Sequence, residues 1–208
     1  GDRPALGANL RWLSRMQWWR GHRAAAEEAA SAAIDTLTGA GDQRLLALAL
    51  SNQAQLFMLV DDNERCLGYG ERAVALAREV GDPGILSHAL NNVGGAHWGL
   101  GHTDVARAEL AESLSVALAA GEVDHACRAY INTGWRLMWD LELDEAERSV
   151  AGAMALAERS EHVGFLGYGY LGRALIDFHR GAWDDAVCYA DVRLDSQLAV
   201  TRCWALTV

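Results

Sequence analysis

The stretch DPGILSHALNNVGGAHWGLGHTDVARAELAESLSVALAAG, residues 82–121, decides the fold. It opens on Asp82-Pro83, the order expected at a helix start, with Asp as N-cap and Pro at the first helical position. Ile85, Leu86, Ala89, Leu90, Val93 and Ala96 follow at helical spacing. Gly99 and Gly101 end this helix. Thr103 or Asp104 is the expected cap of the next, whose buried stripe is Val105, Ala106, Leu110, Leu114 and Ala117. Gly121 closes the unit, so helix, turn, helix and turn fill 40 residues.

The same unit recurs in both directions. Gly21, Asp61, Gly101, Leu141 and Gly181 are 40 residues apart, as are Ala26, Cys66, Ala106, Ala146 and Ala186. Ser14, Ala54, Gly94, Gly134 and Ala174 keep the interval, and so do Asn52, Asn92 and Asn132. Gly41, Gly81 and Gly121 mark the turns halfway between. A fixed period of this length signals a stacked, quasi-one-dimensional array. The spacing predicts a single repeat domain over 1–208, with hairpins at about 1–41, 42–81, 82–121, 122–161 and 162–197. Residues 198–208 read as the start of a sixth, first-type helix, and the abrupt ends suggest a piece of a longer protein. Leu198, Trp204 and Leu206 would then lack cover, so a homodimer through the C-terminal end is expected.

Composition bounds the chemistry. The 208 residues are 51% hydrophobic, with only two prolines, which suits a helical protein with a sizeable core. The net charge of −10 argues against a direct nucleic-acid partner, because such affinity rests on neutralising phosphates. Residues 1–24 go against this trend: five arginines against Asp2 make a basic patch, readable as a docking face or as a plain arginine-rich surface. No lysine occurs, which excludes a Walker A loop and Schiff-base chemistry. Cys66, Cys127, Cys188 and Cys203 form no CxxC pair, and Cys66 stands where the other repeats have alanine, as a small hydrophobe would. No apolar run is long enough to span a bilayer and no leader pattern opens the chain, so no membrane partner and a cytoplasmic location are expected.

A small residue and a second one twelve positions on mark a close helix crossing: Ala54 with Cys66, Gly94 with Ala106 and Gly134 with Ala146. Leu50, Leu90 and Tyr130 stand four positions before these small residues. In this the chain resembles the tetratricopeptide repeat family, although its period is 40 and the closing proline of many repeats is missing. The resemblance implies an all-α, right-handed superhelical solenoid of antiparallel hairpins. More narrowly, RWLSRMQWWRGHRAAAEEAA, LLALALSNQAQLFML and ERAVALAREVGDPGILSHALNNVGGAH resemble the repeat region of large bacterial LuxR-type transcriptional regulators. Those pair such an array with an ATPase module and a helix-turn-helix domain, neither of which is present in these residues.

In tetratricopeptide arrays the first helices line a concave groove. By resemblance and helical spacing, four columns face it here: Ala8, Leu48, His88, Arg128 and Tyr168; Arg11, Ser51, Asn91, Ile131 and Leu171; Arg15, Gln55, Gly95, Trp135 and Leu175; Trp18, Met58, Trp98, Met138 and Phe178. The last column is large and apolar, suited either to an adaptable binding surface or to core. Asn52, Asn92 and Asn132 lie beside these columns, and asparagine is a poor helix residue, so a hydrogen-bonding task is expected. That task is either ligand contact, as the resemblance implies, or an internal ladder between helices. Gly94, Gly95 and Gly99 beside Trp98 cost their helix about 2–3 kcal/mol against alanine and suggest a pocket walled by Trp98, Trp135, His88 and Arg128.

The candidate groove is therefore Asn52, Gln55, Met58, His88, Asn92, Trp98, Arg128, Asn132, Trp135 and Met138. The histidines form no HExxH, Asp61-Asp62-Asn63-Glu64 lacks the spacing of a calcium loop and reads as a turn with a helix cap, and no nucleophile–base set stands out. No metal, cofactor or catalysis is expected. The leading expectation is a regulatory interaction domain taking a protein, a peptide or another part of its own chain. The alternative is a small-molecule effector sensor with its ligand near Trp98 and Trp135.

Overall fold

The computed structural model describes residues 1–194, with side chains through 191. The expectations placed on 198–208, a sixth helix and a dimer contact, lie outside the described residues. Those residues form ten α-helices and no strand. In chain order they are α1 (Arg3–Trp19), α2 (Arg23–Leu37), α3 (Gln43–Met58), α4 (Asn63–Val80), α5 (Pro83–Gly99), α6 (Thr103–Ala120), α7 (Val123–Trp139), α8 (Leu143–Arg159), α9 (Val163–His179) and α10 (Trp183–Leu194). Among them no helix is long and apolar enough to cross a membrane. The helices fall into two compact units, Gly1–Ala120 with α1–α6 and Gly121–Val208 with α7–α10.

Aspartates set the starts of the first-type helices in the first unit. Asp2, Asp42 and Asp82 accept from the backbone N–H of Ala5, Leu45 and Ile85 at 3.1, 2.9 and 2.9 Å. Each satisfies a donor the helix itself leaves unpaired. The corresponding residues of the second unit, Glu122 and His162, make no such side-chain bond. Asp62 caps α4 in the same way, so the Asp61–Glu64 run is a turn and cap. Thr103 is already the first residue of α6, so the cap falls before both residues expected to provide it.

The turns obey the period through their backbone. Gly21, Asp61, Gly101, Leu141 and Gly181 have φ of 78°, 55°, 82°, 61° and 75°. Left-handed backbone at the same point of every hairpin reverses the chain, and a side chain there costs about 1–2 kcal/mol. Asp61, Leu141 and Glu161 bear that strain where the other turns use glycine.

Within each hairpin the two helices pack on each other: α1 on α2, α3 on α4, α5 on α6, α7 on α8 and α9 on α10. The small column is their crossing point. A Cβ on Gly94 would lie 2.9 Å from Leu110 Cγ and 3.2 Å from the Ala106 carbonyl. One on Gly134 would lie 2.9 Å from Val150 Cγ2 and 3.4 Å from the Ala146 carbonyl. Cys66 is fully buried among Ala54, Phe57, Met58 and Ala96, as a small apolar residue would be.

Successive hairpins stack within each unit. In the first, α2 packs on α3 and α4 on α5, while α1, α3 and α5 lie side by side. In the second, α8 packs on α9, and α7 lies beside α9. An ionic cluster joins α8 to α9. Arg180 donates to Glu147 at 2.6 Å and to Asp144 at 2.6 Å, and Arg173 donates to Glu147 and to the buried Asp177.

Candidate ligand-binding face of the first unit

The side-by-side helices α1, α3 and α5 bring their groove columns together, and most of those positions are closed. Asn52 donates through Nδ2 to Ser14 Oγ at 3.0 Å, from α3 to α1. Asn92 donates to the Ser51 carbonyl at 3.0 Å, from α5 to α3. Ser51 Oγ and His88 Nδ1 are 2.5 Å apart beside it. The expectation of ligand contact at Asn52, His88 and Asn92 is corrected by this geometry: all three are buried, and Asn52 Nδ2, Asn92 Nδ2 and His88 Nδ1 serve an internal ladder between first-type helices.

The apolar column is likewise interior at Met58, Trp98 and Met138. The Trp98 ring is covered by Arg107, whose Cζ lies 5.1 Å from its centroid. The space beside Gly99 is taken as well, since a Cβ there would clash with the Asn63 amide. Two shallow depressions lie elsewhere. One runs along Leu141–Glu145 to Arg180, the other along Arg78–Pro83 to Val116, and neither includes Trp98 or Trp135. Gln55 in the first unit, and Arg128, Asn132 and Trp135 in the second, are half-buried.

Two of the groove positions that stay part-open in the first unit are arginines. Arg11, Arg15 and Gln55 keep part of their surface in solvent, whereas Ser51, Asn91 and Gly95 of the same columns are buried. Arg15 Nη1 donates to Gln55 Oε1 at 3.3 Å, one helix away. Arg11 Cζ lies 4.4 Å from the Trp12 ring centroid and Arg15 Cζ 5.9 Å from the same ring. Burial holds the Arg11 guanidinium below its ordinary value, and the neighbouring Arg15 and Arg44 push the same way. Arg11 Nε is buried with no hydrogen-bond partner. Arginine stays protonated regardless, so this is a site of concentrated positive charge with an unmet donor. A planar guanidinium fork of this kind matches a carboxylate.

Sequence reasoning placed Arg11 and Arg15 in groove columns but did not single them out from the arginine-rich start. A signal was present. Like charges four apart on a helix repel, so such a pair beside a groove column is a cost that asks for an anion.

Burial raises the Cys127 thiol to about 11, so it is not a thiolate at neutral pH. Among the described residues no group of three or more His, Cys, Asp or Glu side chains is placed to hold a metal ion.

No protein-family model matches the chain, and no curated protein matches it. Solved structures do. A Rap protein complexed with competence and sporulation factor superposes with a TM-score of 0.80 at 17% identity, over 95% of this chain and 54% of that one. Aspartyl phosphate phosphatase F from Bacillus subtilis gives 0.69 at 15% identity, over 100% and 60%. TTC0263, a thermophilic TPR protein in Thermus thermophilus, gives 0.67 at 19%, over 97% and 100%. The fold is a tetratricopeptide-like array of helical hairpins. The chain spans about half the length of the Rap protein it resembles.

Proposed function

We propose that this chain is an interaction module of a larger bacterial transcriptional regulator, and that its first unit holds an acidic protein segment on the face of α1 and α3. The carrying observation is the Arg11–Arg15 pair, with Arg44 near it, an unmet Arg11 donor and Gln55 alongside. A carboxylate at this point would offset the repulsion between Arg11 and Arg15. The Rap protein, solved with competence and sporulation factor, supports the idea that an array of this shape takes a partner. The regulator context rests on the repeat texture of residues 11–30, 45–59 and 71–97. In the second unit Arg128, Asn132 and Trp135 are the half-exposed residues assigned to ligand contact.

The test is titration of a fluorescent peptide rich in Asp and Glu, with a Gln/Asn peptide as control. The acidic peptide should bind more tightly, with an affinity that falls with salt. Arg11→Glu and Arg15→Glu should each weaken it about tenfold while leaving the thermal midpoint intact or raised. Equal binding of both peptides by wild type and both variants would remove the carboxylate site.

A further inference from the structure

The turn inside each hairpin meets solvent in both units. Trp19, Leu59, Gly99, Trp139 and His179, at the ends of the first-type helices, are all exposed, so openness here belongs to the turn and not to a missing neighbour. At the α7–α8 turn this edge carries apolar side chains that folding does not use. Trp139 is 56% and Leu141 64% exposed, with α9 packed beside α7 and on α8. Leu141 also holds a φ of 61°, at the position where Gly21, Gly101 and Gly181 serve other hairpins. A bulky side chain in left-handed backbone that buries little is a strain that packing does not offset. The same turn is acidic: residues 139–147 read WDLELDEAE, with five acids and no base. Arg180 reaches it from the end of α9, donating to Asp144 and to Glu147 at 2.6 Å each. A shallow depression of about 320 Å³ runs there, floored by Leu141 and Leu143 and rimmed by Glu142, Asp144, Glu145 and Arg180. Asp184 and Asp185 repeat the register of Asp144 and Glu145 in the next turn, so over 136–148 and 178–185 the edge holds seven acids to three arginines.

We propose that this edge of the second unit docks an arginine-bearing segment of a partner protein, with a guanidinium over Trp139, others on the turn carboxylates and an apolar side chain against Leu141. The chemistry follows from what lies side by side. An exposed indole takes a cation on its face, and the adjoining Asp140 and Glu142 carboxylates accept N–H groups at the cation's rim. Arginine supplies both at once, a flat cation with donors around its edge, whereas lysine is a compact charge. The excess of acid repels anionic lipid, nucleic acid and the same edge of a second copy. The surface lies wholly in the second unit, so it does not depend on the carboxylate site at Arg11 and Arg15.

The probe is a fluorescent peptide of repeating Arg, Ala and Leu, with Gln-for-Arg and Lys-for-Arg versions as controls. The Arg peptide should bind about tenfold more tightly than the Gln version and about threefold more tightly than the Lys version. Trp139→Leu keeps an apolar side chain and should erase the preference for Arg over Lys. Leu141→Gly should weaken binding about threefold with the helical content kept. Asp140→Asn with Glu142→Gln should weaken it about tenfold. Glu28→Gln with Asp35→Asn, an equal change of charge in the first unit, should leave it within about twofold, and so should Arg11→Glu. Equal binding of the Arg and Gln peptides, equal losses from the two acid pairs, or unchanged binding in Leu141→Gly overturns the proposal. An Arg preference that survives Trp139→Leu does the same. Sedimentation showing self-association that Arg20→Glu dissociates would also overturn it, by giving the edge to the Trp19–Arg23 turn of a second copy.

Discussion

Asn92 Nδ2 donates to the Ser51 carbonyl at 3.0 Å, joining α5 to α3 inside the first unit. The bond satisfies a backbone acceptor on a helix packed from several sides, and Asn92 is fully buried. Asn92→Ala should therefore lower stability by about 1 kcal/mol, the net worth of the lost hydrogen bond. Urea denaturation measures this. A change within about 0.5 kcal/mol, the scatter of surface substitutions, would show that the ladder contributes nothing.

The hairpin crossing at Gly134 gives a sharper test. With Val150 Cγ2 at 2.9 Å and the Ala146 carbonyl at 3.4 Å from a would-be Cβ, the site has no room for a large side chain. Gly134→Leu should cost about 1–3 kcal/mol or more by overpacking, seen as a lower thermal midpoint. Gly134→Ala should be milder, because Val150 can shift by a few tenths of an ångström.

Leu141 has a φ of 61° and is well exposed, so its strain is not offset by burial. Leu141→Gly should stabilise the protein by about 1 kcal/mol. The gain is net of the extra freedom glycine gives the unfolded chain, so a loss of stability would mean that this freedom outweighs the strain. Thermal melts of the single variant decide the sign.

The ionic cluster of the second unit carries a pH dependence. The hydrogen bond from Arg180, with Arg173 adding to it, holds the Glu147 carboxyl below its ordinary value of 4.5. A carboxylate with a lowered folded pKa stabilises above its unfolded value, and that contribution is lost as pH falls through the folded one. Stability between about pH 5 and pH 3 should therefore fall less steeply in Glu147→Gln than in wild type. Identical acid profiles would mean that solvent screens the cluster fully.

Helix starts and turns were legible because they depend on local chemistry. Asp42, Asp82 and the left-handed glycines act within a few residues of themselves, so α3 and α5 start directly after their aspartate caps. The small column was legible for a similar reason, since Gly94 and Ala106 are linked by a fixed interval. The asparagines were not. Position alone cannot tell an amide facing a groove from one turned toward Ser14 or Ser51, because both lie on nearly the same side of the helix. Arg11 and Arg15 were obscured in another way. Their significance comes from Arg44, on another helix, and from burial of a single nitrogen.

The aspartate caps of the first unit, absent at Glu122 and His162, bear on how the array assembles and comes apart. Each hairpin is built from near neighbours in sequence, so ordering propagates from wherever a nucleus forms most readily. Capped starts at Gln43 and Pro83 lower that barrier for α3 and α5. The opening turns of α7 and α9 must order without this help, so their amides should exchange with deuterium earlier than those of α3 and α5. The expected direction in time is that ordering starts at the aspartate-capped hairpins and melting at the others.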